Sequence, residues 1–477
     1  MGKLFRILKK VGKIAIGLIL LIAFTLVTAT LFSKKDYGTP STKIGENIEK
    51  LALTNVNIVS MAHNDSILTG KTLLIENGRI KDVIEDSLDI PNNYRVVDLK
   101  GKYIAPGLID MHTHIFDRSD LPMYLGYGVT TVRNMMGFPM HLRWREQVKT
   151  NKYPGPELIT AAPTINSGGN GSPFHKNIVE IQEGIDAVKE YKELGYDFIK
   201  IYGGLNKEQL TGIMDEAVKN DLFVVGHPPK EIALEDLLEY DIKSYEHVEE
   251  MVQSLMDYEL DTILGRKIAK ELQQGGAKMT LTLSPFHNIY KATLEGDDFL
   301  NTIPKEKINP FVRLIGKRQL GEWVDTNEGA YKWNKEKYEC MESLTRILHE
   351  EGVELLLGTD TGPSLTVPGI TLHDEMELLK NVGISNLEIL RSGTINAARA
   401  LGQIDELGTI SKGKRANLIV IEMNPLDDLV TLREPYMILN NGMVYDREAI
   451  SRLRKLGSEK SNLLMTIGRF IDHMLNK

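Results

Sequence analysis

The 477-residue chain has one cysteine, Cys340. No intrachain disulfide can form, so stability must come from a buried core. That absence leaves the compartment open, because exported proteins also do without disulfides. There is no low-complexity run, and 42% apolar with 26% charged residues is a globular composition. Acidic residues are missing from the first 35 positions, which carry Lys3, Arg6, Lys9, Lys10, Lys13, Lys34 and Lys35. With a net charge of -8, those seven cations leave -15 on the rest of the chain. An acidic body argues against nucleic acid as a partner. The length suits one large domain plus a small one, or two to three ordinary ones.

Ile14 to Ser33 is uncharged and mostly Ile, Leu, Ala, Val and Phe. A run of that length crosses a bilayer core of ~30 Å. Basic residues before it keep the amino end cytoplasmic and put the body outside, as a single-pass membrane protein. The run is longer than the apolar part of a usual signal peptide, which favours an uncleaved anchor. Cleavage after Val27-Thr28-Ala29, giving a secreted or periplasmic protein, is the alternative. No cysteine follows the run, which excludes a lipoprotein anchor. Residues 1–35 are thus a basic stub and transmembrane helix, and 36–49, with Gly38, Pro40, Ser41 and Gly45, a linker.

Leu53 to Tyr103 reads as strands and turns, with a hairpin signal at Asn77-Gly78. Similar sequence returns near the far end in Leu418-Ile419-Val420-Ile421 and around Asn440-Asn441-Gly442. One small β-sandwich built from 50–103 and 403–447 is the economical reading, and two unrelated β-extensions the alternative. Between them, 104–402, short apolar strands alternate with helical stretches. Candidate strands are 104–114, 129–135, 158–165, 197–202, 222–227, 243–248, 278–284 and 353–360, with helices such as 176–194 and 207–219. Eight such units predict an α/β fold, a (β/α)8 TIM barrel, with an insertion at 286–350. No GxGxxG follows any strand, which weighs against a doubly wound dinucleotide fold.

Active sites of such barrels lie at the carboxyl ends of the strands. His112 and His114 are i and i+2 on a strand, so both imidazoles face one point. The ends of four other strands bring Lys200, His227, the Glu246-His247 pair and Asp360. Pro106-Gly107-Leu108-Ile109-Asp110-Met111-His112-Thr113-His114 resembles the amidohydrolase superfamily, in the branch of imidazolonepropionase-like proteins and Xaa-Pro dipeptidases. Gly128 to Arg133, Gly358-Thr359-Asp360, Thr394 to Gly402 and Gly408 to Gly413 carry the same resemblance, which spans about 50–447.

The resemblance implies a metal-dependent hydrolase acting on carbon–nitrogen bonds, with two divalent ions, zinc on ligand type, sharing one hydroxide. His112 and His114 would hold one ion, and His227 and His247 the other. Lys200 would bridge them as a carbamate formed with carbon dioxide, since an ammonium would repel both. Burial in an apolar strand favours the neutral amine that this needs. Asp360 would bind the first ion and act as general base, then general acid. The relatives commonly have His-Ala-His around the fifth-strand ligand; Gly226-His227-Pro228 stands here instead, so the neighbouring pocket differs.

Tyr202, His175 and His287 are the candidates for substrate contact, while His373 suits capping or packing. The insertion 286–350, with Arg313, Arg318 and Arg346, reads as a lid that could offer an arginine to a substrate carboxylate. The tail 448–477 is basic and then shows a helical stripe of Leu463, Leu464, Ile467, Phe470, Ile471, Met474 and Leu475. It docks on the barrel or a second subunit, which would make a homo-oligomer, or lies on a membrane surface. The expected partner is a small amide or peptide. A lactone or ester hydrolase with the same site, and a non-catalytic tethered binding protein, are the alternatives.

Overall fold

In the computed structural model the described residues are 2–36, 44–62, 67–86, 89–168, 172–324 and 326–476, with side chains from residue 8 onward. Eight parallel strands surround a common axis: Leu108–Thr113, Val129–Asn134, Glu157–Thr160, Phe198–Ile201, Phe223–Gly226, Ile242–Glu246, Lys278–Thr280 and Glu354–Leu356. They pair in that order. Single parallel bridges, Ala161 to Phe198 and Thr113 to Thr361, join the two remaining edges and close the ring. Closure leaves no open edge in the ring.

The expected strand 104–114 is in fact two strands in two sheets. Tyr103–Pro106 pairs with Leu418–Ile421 in the outer sheet, and Leu108–Thr113 enters the ring. Pro106-Gly107 makes the break. Proline lacks the ladder N–H, and a Cβ at Gly107 would collide with the Thr130 side chain. The outer sheet has nine strands drawn from both chain ends. It encloses its own apolar core, including Leu53, Ile58, Leu73, Ile104, Leu418 and Leu439. The expected helix 176–194 is shorter, Ile181–Leu194, because Lys176–Ile178 pairs with Ile165–Ser167 as a strand.

The insertion folds as helices, Ser284–Glu295, Asp297–Thr302, Pro310–Gly321 and Glu328–Glu350, over a small core with Leu300, Val312 and Leu365. The expected linker is shorter than 36–49. Asp36 is buried against Trp144 and Arg469, and Glu46–Asn47 pairs with Met443–Tyr445. Residues 37–43 of that linker lie outside the described residues.

An N-terminal helix, Gly2–Lys34, exposes Leu8, Ile14, Leu18, Leu21 and Phe24. It is long and apolar enough to cross a membrane over Leu8–Lys34. Its last turns bury Ala29, Thr30 and Ser33 against a tail helix, Leu463–Leu475. A Cβ at Gly468 would collide with the Ala29 carbonyl, so the two backbones meet at a glycine. The tail docks by only part of its expected stripe: Phe470 is buried, and Ile467 and Ile471 are half-buried. Leu463, Leu464, Met474 and Leu475 are exposed, while Gly468, Arg469, Phe470, Asp472 and His473 are buried. Ion pairs explain the reversal: Lys34 lies 3.0 Å from Asp472, and Arg469 sits between Asp36 at 3.6 Å and Asp117 at 3.8 Å.

Candidate metal centre

Six side chains converge where the ring strands end. The Nε2 atoms of His112 and His114 lie 3.4 and 3.0 Å from Asp360 Oδ1. These three residues can offer one ligand atom each within 4.8 Å of one another. Lys200 Nζ is 3.3 Å from His112 Nε2. The ring of His247 lies 4.4 Å from that of His112 and 4.8 Å from that of His227. Asp360 and His247 both have positive φ, 48° and 72°, as does Thr282 at 49°. Non-glycine residues rarely adopt that conformation, and it gathers at functional sites.

Second partners decide which ring nitrogen faces inward. Glu246 Oε2 accepts from His112 Nδ1 at 2.8 Å. Glu250 Oε1 is 2.8 Å from His227 Nδ1, and Thr282 Oγ1 is 2.7 Å from His247 Nδ1. Each contact turns the opposite Nε2 toward the common centre, the arrangement expected of metal-ligating imidazoles. His227 Nε2 is buried with no hydrogen-bond partner among the described residues. A buried acceptor without a donor is costly, and a divalent cation satisfies it. The residues therefore fit a metal.

Glu246 is itself held by Arg133 at 2.7 Å and Ser244 at 2.5 Å, all fully buried. Asp110, two residues before His112, accepts from the Thr359 hydroxyl at 2.7 Å and ties the first ring strand to the last. Sequence reasoning gave no role to Glu250, Thr282, Arg133 or Asp110. Glu246 was read only as His247's neighbour. Two glutamates at positions 246 and 250, flanking His247 on a buried strand end, were the available signal.

Burial sets the protonation of the centre. It lowers the Lys200 ammonium to about 8, against the pull of Glu246 and Asp360. It holds His112 and His227 well below the usual imidazole range and takes His247 to about 3, so all three stay neutral, as metal ligation would require. Burial pushes the Asp360 carboxyl up, but the His114 hydrogen bond and the electrostatic pull of its neighbours, Lys200 among them, bring it below its ordinary value. Asp110 goes the other way: burial raises it to about 8 despite the Thr359 contacts.

A cavity of about 380 Å³ opens above these residues, within the size range of small-molecule sites. Tyr202 and His175 line it, with ring centroids 4.8 Å apart, and Tyr202 stacks on His227 at 3.9 Å. His287 is elsewhere, in a neighbouring hollow where Nδ1 lies 3.1 Å from the Tyr338 hydroxyl. The helix Ser284–Glu295 turns it away from the ring mouth. His373 packs, donating to the Tyr127 carbonyl at 2.9 Å. The insertion contributes wall rather than charge, through Phe311, Val312, Ile315 and Gln319. Among the described residues no arginine lines the cavity: Arg318 faces Glu322, and Arg346 donates to the Val382 carbonyl.

Residues 320–446 match the amidohydrolase family. The chain is 23% identical over 423 residues to a 5-methylthioadenosine/S-adenosylhomocysteine deaminase of Acetivibrio thermocellus, covering 80% of this chain and 88% of that one. It is 24% identical over 388 residues to an imidazolonepropionase of Clostridium tetani, covering 76% and 86%. A crystal structure of a Xaa-Pro dipeptidase with methionine bound in its active site superposes with a TM-score of 0.65 at 18% identity, covering 83% of this chain and all of the other. That likeness is one of fold.

Proposed function

We propose that this chain, whose residues 320–446 match the amidohydrolase family, is a metal-dependent hydrolase cleaving the C–N bond of a small amide or peptide at the mouth of a (β/α)8 barrel. The barrel would begin at Leu108, and the small β-domain would take in Tyr103–Pro106 with the other strands of the outer sheet. The observation that carries the reading is the convergence of His112, His114, Lys200, His227, His247 and Asp360, with three of the imidazoles oriented from behind.

His112 and His114 would hold one divalent ion with Asp360, and His227 and His247 a second, zinc being the best match for this donor set. Such ions, when bound, polarise a carbonyl and lower the pKa of water. Burial keeps a fraction of Lys200 as free amine near neutral pH. That amine would add carbon dioxide, forming an N–C bond and losing one proton to solvent, and the carbamate would supply the anionic oxygens that a site for two cations needs. Asp360, held ionised by its neighbours, takes a proton from the attacking water and passes it to the departing nitrogen. Tyr202 and His175 border the cavity where the substrate would lie and can donate to it.

We read the N-terminal helix as a retained anchor with the catalytic body outside the cytoplasm. Cleavage after Ala29 would strip the tail helix of the backbone that covers Gly468. The test of the site is metal content of the purified full chain after zinc and bicarbonate supplementation, beside Lys200→Ala. Two ions per wild-type chain and at most one in the variant are expected. Less than one in the wild type overturns the reading.

A further inference from the structure

We propose that the substrate is a lipophilic amide with a long apolar tail, drawn from the bilayer beside the N-terminal helix. This rests on the hydrolytic and anchor readings above. The first observation is the asymmetry of the cavity. One end is the ligand cluster. Phe116 stacks on His114 at 6.4 Å, and from it the wall continues through Phe470, Phe174, Phe311 and Ile315, with the uncharged Thr164, Ser172 and Gln319 as further polar groups. Phe470 lies 4.8 Å from Phe311, 4.9 Å from Phe174 and 5.8 Å from Phe116, ring centre to ring centre. Outside the ligand cluster, no lysine or arginine is among the described lining residues, and the donors Tyr202 and His175 stand beside His227 rather than among the phenylalanines. A carboxylate set against the phenylalanines would lose water without a charged partner, whereas an alkyl chain would gain by leaving water.

The second observation is where that wall stands. The same tail helix offers Gly468 to the N-terminal helix and Phe470 to the cavity. The two helices run parallel: Lys34 meets Asp472, and Phe24 and Thr25 share a hollow with Leu464 and Met465. The exposed Leu463 and Leu464 are therefore level with Phe24, inside the apolar segment. Six residues separate Leu464 from Phe470, roughly 9 Å along a helix. Leu314, 63% exposed, and Ile315, 40% exposed, continue the apolar surface beside Phe311. An amide leaving the bilayer beside the N-terminal helix would thus reach the centre along apolar side chains.

The test uses the full chain, zinc-loaded, in phosphatidylcholine vesicles, with acyl p-nitroanilides of two to twelve carbons and the dipeptide Met-Pro. The expected result is a kcat/KM rising about two- to fourfold per methylene until the groove is filled. Phe470→Ala and Phe311→Ala should cut the ratio of ten-carbon to two-carbon substrate about tenfold, with Phe470→Leu restoring most of it. Calorimetric titration of the metal-free chain with straight-chain amides should show the same chain-length order in affinity. Rates should follow the surface concentration of anilide in the vesicle; dependence on bulk concentration alone overturns delivery from the bilayer. A flat chain-length profile, or Met-Pro outperforming the decanoyl anilide, overturns the proposal. The same chains as p-nitrophenyl esters separate the two failures. Inert anilides with a rising ester series defeat C–N cleavage but support the lipophilic groove, and hydrolysed anilides with no slope do the reverse.

Discussion

Glu250 shows how much of the centre depends on side chains that would never touch an ion. It accepts from His227 Nδ1 at 2.8 Å and so turns Nε2 inward. Replacing it with Gln keeps shape and burial but weakens that orientation. Glu250→Gln should lower metal affinity 10- to 100-fold, read by competition with a chelating dye, with little change in thermal stability. Unchanged affinity would mean that His227 is oriented by packing against Tyr202 alone. Glu246 is a poorer probe, because its loss would strand the fully buried Arg133 and confuse affinity with folding. The convergence of the candidate ligands was legible in sequence, since HxH on a strand and histidines at strand ends have a period that can be read. Their supports were not. Glu250 lies 23 positions from His227, and Thr282 lies 35 from His247. Such pairings follow from how neighbouring strands come together.

Among the elements, the pair formed by the N-terminal and tail helices departs most from what periodicity suggests. The tail has an apolar stripe at helical spacing, yet it buries Arg469 and Asp472 and exposes Leu463, Leu464 and Leu475. A stripe predicts the buried face only when apolar contact is the strongest interaction available. Here Asp36, Asp117 and Lys34 supply opposite charges, and Gly468 supplies room. Asp117 reports the balance. Burial pushes its carboxyl up, but Arg469, Lys460, Asn309 and the Ser461 N–H together hold it below the usual range. Gly468→Val should force the helices apart, lowering stability by roughly 1–3 kcal/mol, read as a fall in the urea midpoint of the full chain in detergent. An unchanged midpoint would show that the two helices do not pack in solution.

For the molecule as a whole, buried neutral histidines set the acid limit of stability. His373 packs with its Nε2 on the Tyr127 carbonyl, and burial takes it from 6.5 to about 4. Unfolded, it binds a proton below pH 6.5; folded, it does not until about pH 4. The unfolded state therefore holds more protons in that window, and stability falls as pH drops through it, by roughly 3 kcal/mol from this residue. Urea unfolding of the metal-free chain between pH 7 and 4 should show the loss. His373→Gln, which keeps a donor for Tyr127, should make the slope shallower. An identical slope in the variant would place the acid sensitivity elsewhere.

The ring strands begin within a few residues of where short, largely apolar runs between helical stretches put them, because both faces of such a strand are covered. The candidate ligand residues could be read for the same local reason: each stands at or just beyond a strand end, and strand direction fixes which end that is. Local pattern also located the apolar N-terminal helix and the hairpins at Asn77-Gly78 and Asn441-Gly442. Tertiary structure decided the rest. It split 104–114 at Gly107, placed His287 in another hollow, and chose the charged face of the tail helix. It also brought Phe116, Phe174, Phe311 and Phe470 together from four distant segments. Those outcomes depend on volume at a crossing and on charges far apart in the chain. Periodicity within a single element carries no record of either.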